Sequence, residues 1–277
     1  MIVIADSGST KTDWLFINKH HRKCIETPGA SLFLQNSEDT CKLLTERFKE
    51  QELNTVSEVF FYGSDYENSA TNEVVHHLLQ RLFGRAEINI ENEILGAARS
   101  LLGHEKGIAC ILDTAADSGY YDGNAIAKKI PALGFMLGEG GSKSHIGMLF
   151  LKDYFDYEVP GDIKTQFENE LQLDMNDVFS SVFKGEYPLQ YFSGLSVFLE
   201  KNRDHHYIRN LIKRNFSDFF VSNIRQYNGL QQHKVNFVGS VAYHYSELLE
   251  EVASEKGIPL GKIIEKPMDG LELFHTT

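Results

Sequence analysis

The segment MIVIADSGSTKTDWLFI (residues 1–17) decides the fold of this chain. MIVIA (1–5) is an apolar run typical of a buried strand, and DWLFI (13–17) is a second such run. The residues between them, DSGSTKT (6–12), are small and polar, which predicts a tight turn. The chain therefore opens with two strands joined by a polar turn.

The composition excludes several classes of protein. A length of 277 residues suits one large or two ordinary domains, and 42% hydrophobic with 24% charged residues is the mix of a folded protein. The net charge of −12 argues against a nucleic-acid partner or an anionic membrane, since either would need a basic face. Asp6 ends the first apolar run too early for a signal peptide, and no window predicts a membrane span. Three scattered cysteines, Cys24, Cys41 and Cys110, predict a reducing, cytoplasmic location.

Helix and strand alternate through the rest of the first hundred residues. EVFFYG (58–63) and EINI (87–90) are predicted strands, and EILGAARSLL (93–102) is a predicted helix that Gly103 ends. A hairpin followed by this alternation predicts a layered α/β domain.

A second unit begins with GIACIL (107–112), a strand that meets another small-residue turn, and NAIAKKI (124–130) returns from it. The pattern is mostly helical from 148 to 232, and VNFVG (235–239) then runs into a predicted helix over 240–252. The repetition of strand and turn places the domain boundaries. We expect one domain at 1–105, joined by a C-terminal helix at about 266–277, and a second at 106–265 with a helical insertion.

The first turn has the residue types of an anion site. Its backbone N–H groups and hydroxyls can face a phosphate while a lysine adds charge, through Gly8, Ser9, Thr10, Lys11 and Thr12. Asp6 ends a buried strand, where it can hold a hydrated Mg²⁺ that bridges phosphates. The glycine spacing is not that of a Walker A loop. An ordinary hairpin turn rich in Ser, Thr and Gly is the alternative.

The second turn, ILDTAADSG (111–119), carries two acids. Asp113, Asp117 and the later Asp122 lack the alternate spacing of a calcium loop. A phosphatase-type nucleophile would need a second aspartate where Ala115 stands. What remains is a turn at a strand end that resembles the first turn in shape but not in charge.

Two further glycine-containing turns are candidates. LGFMLGEGGSKSHIG (133–147) places Glu139 between two glycines, where it can present a carboxylate to a polyol or simply belong to a flexible loop. In VGSVA (238–242), Gly239 and Ser240 stand at a predicted strand-to-helix junction. A flat ligand can approach the backbone at such a glycine, and a tight packing turn is the alternative.

Five segments, taken in this order, resemble one family: ADSGSTKTDW, ENEILGAARSLLG, GIACILDTAADSGYYDG, PALGFMLGEGGS and NFVGSVAY. They are similar to the BadF/BadG/BcrA/BcrD-type ATPases and N-acetylglucosamine kinases, whose fold is shared by actin and hexokinase. The resemblance covers nearly the whole chain. It implies two ribonuclease-H-like domains around a central cleft, ATP and Mg²⁺ as cofactors, an amino sugar as substrate and a homodimer.

The resemblance also implies roles by position. Residues 8–12 would form the first phosphate loop beside a metal at Asp6, and residues 113–118, with Thr114, would form the second. Glu93 would be the general base. The sugar would be contacted by Ser31, Gly138 and Glu139, and the adenosine by Gly239 and Ser240.

The second loop departs from the family pattern. Where the family has Gly-Thr-Gly-Ser-Asn, the chain has Asp113, Thr114, Ala115, Ala116 and Asp117. A carboxylate about 4 Å from a phosphate charge, at an effective dielectric near 20, costs about 4 kcal/mol, or almost three decades of affinity. Two hypotheses follow: a kinase for an amino sugar that the altered motifs weaken, or an inactive pseudokinase that binds a sugar or regulates a partner protein.

Overall fold

The structure, a computed structural model, describes residues 1–8, 10–29, 37–63, 69–171, 178, 180–184, 188–227, 229 and 232–277. The chain divides into two compact units. Unit 1 consists of Met1–Glu105, Gly123–Ile126 and Lys266–Thr277, and unit 2 consists of Lys106–Asp122 and Ala127–Glu265.

The strands in chain order are β1 (Ile2–Ser7), β2 (Lys11–Asn18), β3 (His21–Pro28), β4 (Glu58–Gly63), β5 (Glu87–Asn92), β6 (Gly107–Leu112), β7 (Ala116–Tyr121), β8 (Ile126–Lys129), β9 (Val235–Val238) and β10 (Leu260–Ile264). They form two five-stranded sheets, with the orders β3-β2-β1-β4-β5 and β10-β9-β6-β7-β8. The predicted strands at 58–63 and 107–112 are confirmed.

The helices in chain order are α1 (Ser37–Arg47), α2 (Ser69–Phe83), α3 (Glu93–Leu102), α4 (Gly134–Leu137), α5 (Lys143–Phe155), α6 (Gly161–Leu171), α7 (Pro188–Gly194), α8 (Ser196–Lys201), α9 (His206–Ser222), α10 (Ser240–His244), α11 (Ser246–Glu255) and α12 (Met268–Thr276). The predicted helix at 93–102 is confirmed. The single helix predicted over 240–252 is wrong, because two helices separated by Tyr245 occupy that stretch. Within the described residues, no helix has the length and apolarity to cross a membrane.

The sheet of unit 1 begins with the predicted hairpin. β1 pairs antiparallel with β2 and parallel with β4, and β4 pairs parallel with β5. Strand β3 extends the hairpin beyond the prediction, antiparallel to β2. Its sequence, HRKCIETP, is mostly exposed and contains His21, Arg22, Lys23 and Glu26, so it lacks the apolar run that marks β1 and β2.

The two faces of this sheet bury different cores. Val3 and Ala5 face a cluster in which Phe48 lies 5.2 Å from Trp14 and 5.0 Å from Phe16 between ring centroids. Alternate residues face the other way, where Ile4, Leu15 and Tyr62 pack against Met268 and Leu271 of α12. The last helix therefore completes the core of the first unit.

Helix α12 is held against α3 by a close backbone approach and a polar chain. A Cβ atom on Gly270 would lie 2.3 Å from the carbonyl oxygen of Ser100. The Arg99 guanidinium donates to the Tyr62 hydroxyl at 2.9 Å, and that hydroxyl lies 2.7 Å from His275 Nε2. The backbones of α3 and α12 can approach this closely only because residue 270 is a glycine.

The sheet of unit 2 also has five strands, and the helical layer that covers it is larger than that of unit 1. All of β6 is buried, antiparallel to β7 on one side and parallel to β9 on the other. Its core includes Phe216 and Phe219 of α9 together with Phe237 of β9. The helical insertion thus supplies much of the apolar surface that covers the second sheet.

We expect Gly270→Ala to lower the free energy of unfolding by about 1–3 kcal/mol, because the added methyl meets a backbone oxygen that cannot move aside cheaply. Urea unfolding followed by circular dichroism measures the change. The control is Gly194→Ala, also in a helix, where the added methyl would meet nothing within 4 Å. An equal effect of the two substitutions would contradict the α3–α12 packing described here.

Candidate functional site

In unit 1, strand register brings two predicted site segments to one sheet edge. Ser7 pairs with Gly63, and Gly63 pairs with Asn92, so the carboxyl ends of β1, β4 and β5 are level. The turn that begins at Gly8 and the helix that begins at Glu93 therefore leave the same edge. Ligand sites of open α/β sheets lie at such edges.

The first turn is closed by its own backbone. The N–H of Gly8 donates to the carbonyl of Lys11 at 2.9 Å, and the N–H of Gly29 donates to the carbonyl of Thr10 at 3.0 Å. Of the predicted phosphate-loop residues, Ser9 lies outside the described part of the chain, as does the predicted sugar residue Ser31.

The side chains of Lys11 and Thr12 point to opposite faces. Lys11 Nζ lies 3.0 Å from Asp13 Oδ2 and 3.0 Å from Glu26 Oε2. Burial works against the charge of Lys11, but the hydrogen bonds to Glu26 and Asp13 outweigh it and raise the lysine pKa. Thr12 is fully buried, with its hydroxyl 2.8 Å from that of Ser7. Thr12 therefore stabilises the hairpin from its buried face, whereas the side chain of Lys11 is partly exposed at the turn.

Two carboxylates lie opposite each other beside this turn. Asp6 of β1 is the register partner of Asp13 of β2. Directly opposed residues in an antiparallel pair share one face, and carboxylate oxygens are ligands that Mg²⁺ accepts. Within the described residues, no group of three or more His, Cys, Asp or Glu could hold a metal. Asp13 is also paired with Lys11, whose Nζ lies 3.0 Å from Asp13 Oδ2.

Glu93 is the first residue of α3, and its position is fixed by packing. Asn92 caps this helix by accepting a hydrogen bond from the N–H of Leu95 at 3.0 Å. A Cβ on Gly96 would lie 2.8 Å from the ring of Tyr62, so α3 sits tightly against β4. An acid in the first turn also interacts favourably with the helix dipole. Glu93 is half-buried at the edge of the sheet.

In unit 2, register and one glycine bring together two further predicted segments. Ile111 of β6 pairs with Val238 of β9, so Asp113 and Gly239 follow strands that end level. Gly239 has φ +122°, and a Cβ there would lie 2.3 Å from the carbonyl oxygen of Leu112. The contact lets Ser240 Oγ donate to Asp113 Oδ1 at 2.6 Å.

The turn after β6 is shorter than the predicted loop 113–118, because β7 already begins at Ala116. It is docked on the start of α5. The N–H of Lys143 donates to the carbonyl of Asp113 at 2.8 Å, and the N–H of Ser144 donates to that of Thr114 at 3.4 Å. The predicted nucleotide residue Thr114 thus uses its carbonyl to hold the turn in place.

Asp113 of the turn and Asp117 of β7 are each paired with a lysine. Lys143 Nζ lies 2.8 Å from Asp113 Oδ1, and Lys129 Nζ lies 3.1 Å from Asp117 Oδ2. Sequence reasoning missed both lysines, since no spacing rule links residues so far apart in different elements. The lysine beside Asp113 offsets much of the repulsion that the isolated carboxylate would exert on a phosphate.

Glu139 is buried within unit 2, and burial raises the pKa of its carboxyl group, against hydrogen bonds to Ser144 and Ser142. Ser144 Oγ donates to Glu139 Oε2 at 2.8 Å. Gly138 and Glu139 border a cavity of about 470 Å³. The rest of its lining is Ala116, Lys128, Ile130, Pro131, Ala132, Leu133, Leu137, Gly140, Ser222, Asn223 and Gln226.

His145, near the start of α5, is a buried polar group that the sequence did not single out. Among the described residues its Nδ1 has no hydrogen-bond partner, and its Nε2 lies 3.7 Å from Asp218 Oδ2. Burial, and then the charge of Arg214, lower the pKa of the ring from 6.5 to about 4. The imidazole is therefore neutral at pH 7.

Comparison with known proteins places this geometry in a family. The chain is 32% identical to the putative N-acetylglucosamine kinase from Porphyromonas gingivalis, with 99% of this chain and 98% of that protein covered and a TM-score of 0.91. The chain belongs to the same family. No protein-family model matches it, and no curated protein does either.

More distant members of this fold are similar over the same length. The putative N-acetylglucosamine kinase from Chromobacterium violaceum is 14% identical, with 99% and 98% of the two chains covered and a TM-score of 0.73. A ROK family glucokinase from Streptomyces griseus, in complex with glucose and AMPPNP, is 11% identical, with 97% and 96% covered and a TM-score of 0.62. These likenesses confirm the predicted two-domain α/β fold of the actin and hexokinase type.

The neutral His145 predicts a pH dependence of stability. The pKa of His145 is lower in the folded protein than in the unfolded chain. The contribution of the neutral ring to the free energy of unfolding is therefore full above pH 6.5 and is lost as the pH falls toward 4. We expect the wild type to lose about 2 kcal/mol more unfolding free energy between pH 7 and pH 5 than His145→Gln. Urea titrations of both proteins at both pH values measure this difference, and equal losses would refute it.

Proposed function

We propose that this protein is an ATP-dependent kinase that transfers a phosphoryl group to a hydroxyl of an amino sugar. The observation that carries the proposal is the register of unit 1, in which Ser7, Gly63 and Asn92 are level, so that the first turn and Glu93 leave the same edge of the sheet. The N-acetylglucosamine kinase name of its relative supports an amino sugar as the acceptor.

The proposed roles in unit 1 follow the chemistry of phosphoryl transfer, which depends on positioning and charge stabilisation. Glu93 accepts the proton of the attacking sugar hydroxyl. Asp6, with Asp13 opposite it, holds Mg²⁺. The phosphates are held by the turn of Gly8, Ser9, Thr10 and Lys11, while Thr12, also a predicted phosphate residue, is buried and supports the hairpin behind it. When bound, Mg²⁺ would neutralise charge on the transferring phosphate.

The proposed roles in unit 2 concern the nucleotide and the sugar. Thr114, Gly239 and Ser240 contact the nucleotide, while Gly138 and Glu139 contact the sugar. The cavity beside Glu139 supports a small-molecule ligand, since its size is within the range of small-molecule pockets. A homodimer and a cytoplasmic location complete the proposal.

One observation favours a second candidate function. In the second turn a carboxylate, Asp113, stands where an incoming phosphate would meet Lys143 and Ser240. A pseudokinase that binds a sugar or regulates a partner protein would have no need of that phosphate site. ATP binding separates the two candidates.

We expect Mg·ATP to stabilise the wild type against heat and to yield ADP only when a suitable amino sugar is present. Saturation at about 100 times the dissociation constant adds about 2.7 kcal/mol of stability. Differential scanning fluorimetry with millimolar Mg·ATP, followed by a coupled ADP assay across a panel of amino sugars, measures both. No thermal shift at any nucleotide concentration would rule out the kinase.

The general base is tested by Glu93→Gln, which keeps the shape of the side chain. We expect turnover to fall at least about 100-fold, because proton removal typically contributes that much, while Mg·ATP still stabilises the protein. The control is Glu87→Gln at the exposed start of β5, the same change of charge at the other end of the strand. Undiminished turnover of Glu93→Gln would exclude it as the base.

A further inference from the structure

The Asp113 carboxylate is held as a bound anion would be held. One oxygen, Oδ1, accepts hydrogen bonds from Lys143 Nζ at 2.8 Å and from Ser240 Oγ at 2.6 Å. The two donors are the first residues of different helices, α5 and α10. A cation and a hydroxyl converging on one anionic oxygen is also the arrangement that binds a phosphate oxygen.

The first backbone N–H groups of α5, near this oxygen, are already used. The N–H groups of Lys143 and Ser144 donate to the carbonyls of Asp113 and Thr114, and the N–H of His145 donates to Ser142 Oγ at 3.0 Å. A phosphate arriving at this turn therefore cannot use the first amides of α5 without breaking the turn. The side chains of Lys143 and Ser240, which now donate to Asp113, are donors that it can use instead.

The carboxylate is able to leave. Its side chain is 47% exposed, whereas that of Lys143 is 31% exposed. Rotation of Asp113 into solvent would uncover the lysine and the serine while the turn stays fixed by its backbone bonds. A phosphate group carries up to about two negative charges and three acceptor oxygens, so it is a stronger ligand for this pair than a single carboxylate.

We infer that Lys143 and Ser240 are the phosphate-binding side chains of the second turn and that Asp113 is their internal competitor. The ligand class is a nucleoside polyphosphate, and the inference rests on the proposed ATP binding. Because the donors are free in only a fraction of molecules, the apparent affinity for phosphate is reduced by that fraction. The turn therefore discriminates against weakly charged anions and keeps ATP affinity low.

The test compares Mg·ATP affinity, by isothermal titration calorimetry, between the wild type and Asp113→Asn. We expect the variant to bind at least about 10-fold more tightly, because the neutral amide releases Lys143. The control is Asp156→Asn, which breaks the Lys152–Asp156 pair at the far end of α5 with the same change of charge; it should leave affinity unchanged. Adenosine without phosphates should bind both proteins equally.

A double variant identifies the lysine as the ligand. In Asp113→Asn combined with Lys143→Met, we expect the gain in Mg·ATP affinity to be lost. If the double variant binds as tightly as Asp113→Asn alone, Lys143 does not bind the phosphate and the inference is wrong. Asp113→Ser, which shortens the side chain, gives a second measurement should the asparagine variant unfold.

The outcomes separate this inference from the proposed function. If the wild type and Asp113→Asn bind Mg·ATP equally, the competition is refuted and the kinase proposal stands. If neither folded protein binds Mg·ATP, the proposed nucleotide binding itself is refuted. If Asp113→Asn binds Mg·ATP and the wild type does not, the result supports competition between Asp113 and the phosphate, with Asp113 excluding the nucleotide completely.

Discussion

Parallel pairing at the centre of each sheet is the constraint on which the rest of the structure depends. β1, β4 and β5 run in one direction in unit 1, as do β6, β9 and β10 in unit 2. Parallel strands must be joined by crossovers, and their carboxyl ends then open at one edge. The turn after β1, the start of α3, the turn after β6 and the start of α10 all lie at such edges.

Backbone hydrogen bonds, more than charges, hold these turns. The turn after β6 is fixed by bonds from the amides of α5 and by the close approach of Gly239 to Leu112. A half-exposed ion pair such as Asp113–Lys143 adds at most about 1 kcal/mol to stability. The pair can therefore open without loss of the fold, and its importance lies in which anion the lysine contacts.

The sequence was sufficient for the elements whose apolar pattern is local. β4 and α3 begin and end where the pattern predicts, since one is a continuous apolar run and the other has a glycine at its end. β3 was missed because its residues are mostly exposed and its stability comes from pairing with β2. The lysine partner of Asp113 was missed because it lies 30 residues away and is brought near by the docking of a helix. The roles of Glu93, Asp6 and Glu139 in a reaction stay predictions, since register shows where they lie and not what they contact in turnover.

The place of α12 in the first core has a consequence for how the chain is made. Ile4, Leu15 and Tyr62 are covered by Met268 and Leu271, so this face stays open until α12 has been synthesised. At about 5–20 residues per second, the stretch between Glu105 and Lys266 takes on the order of ten to thirty seconds to synthesise. During that time the apolar face formed by Ile4, Leu15 and Tyr62 lacks the cover of α12. Unit 2, whose residues are contiguous apart from one short turn, has all of its strands available before the first unit can close.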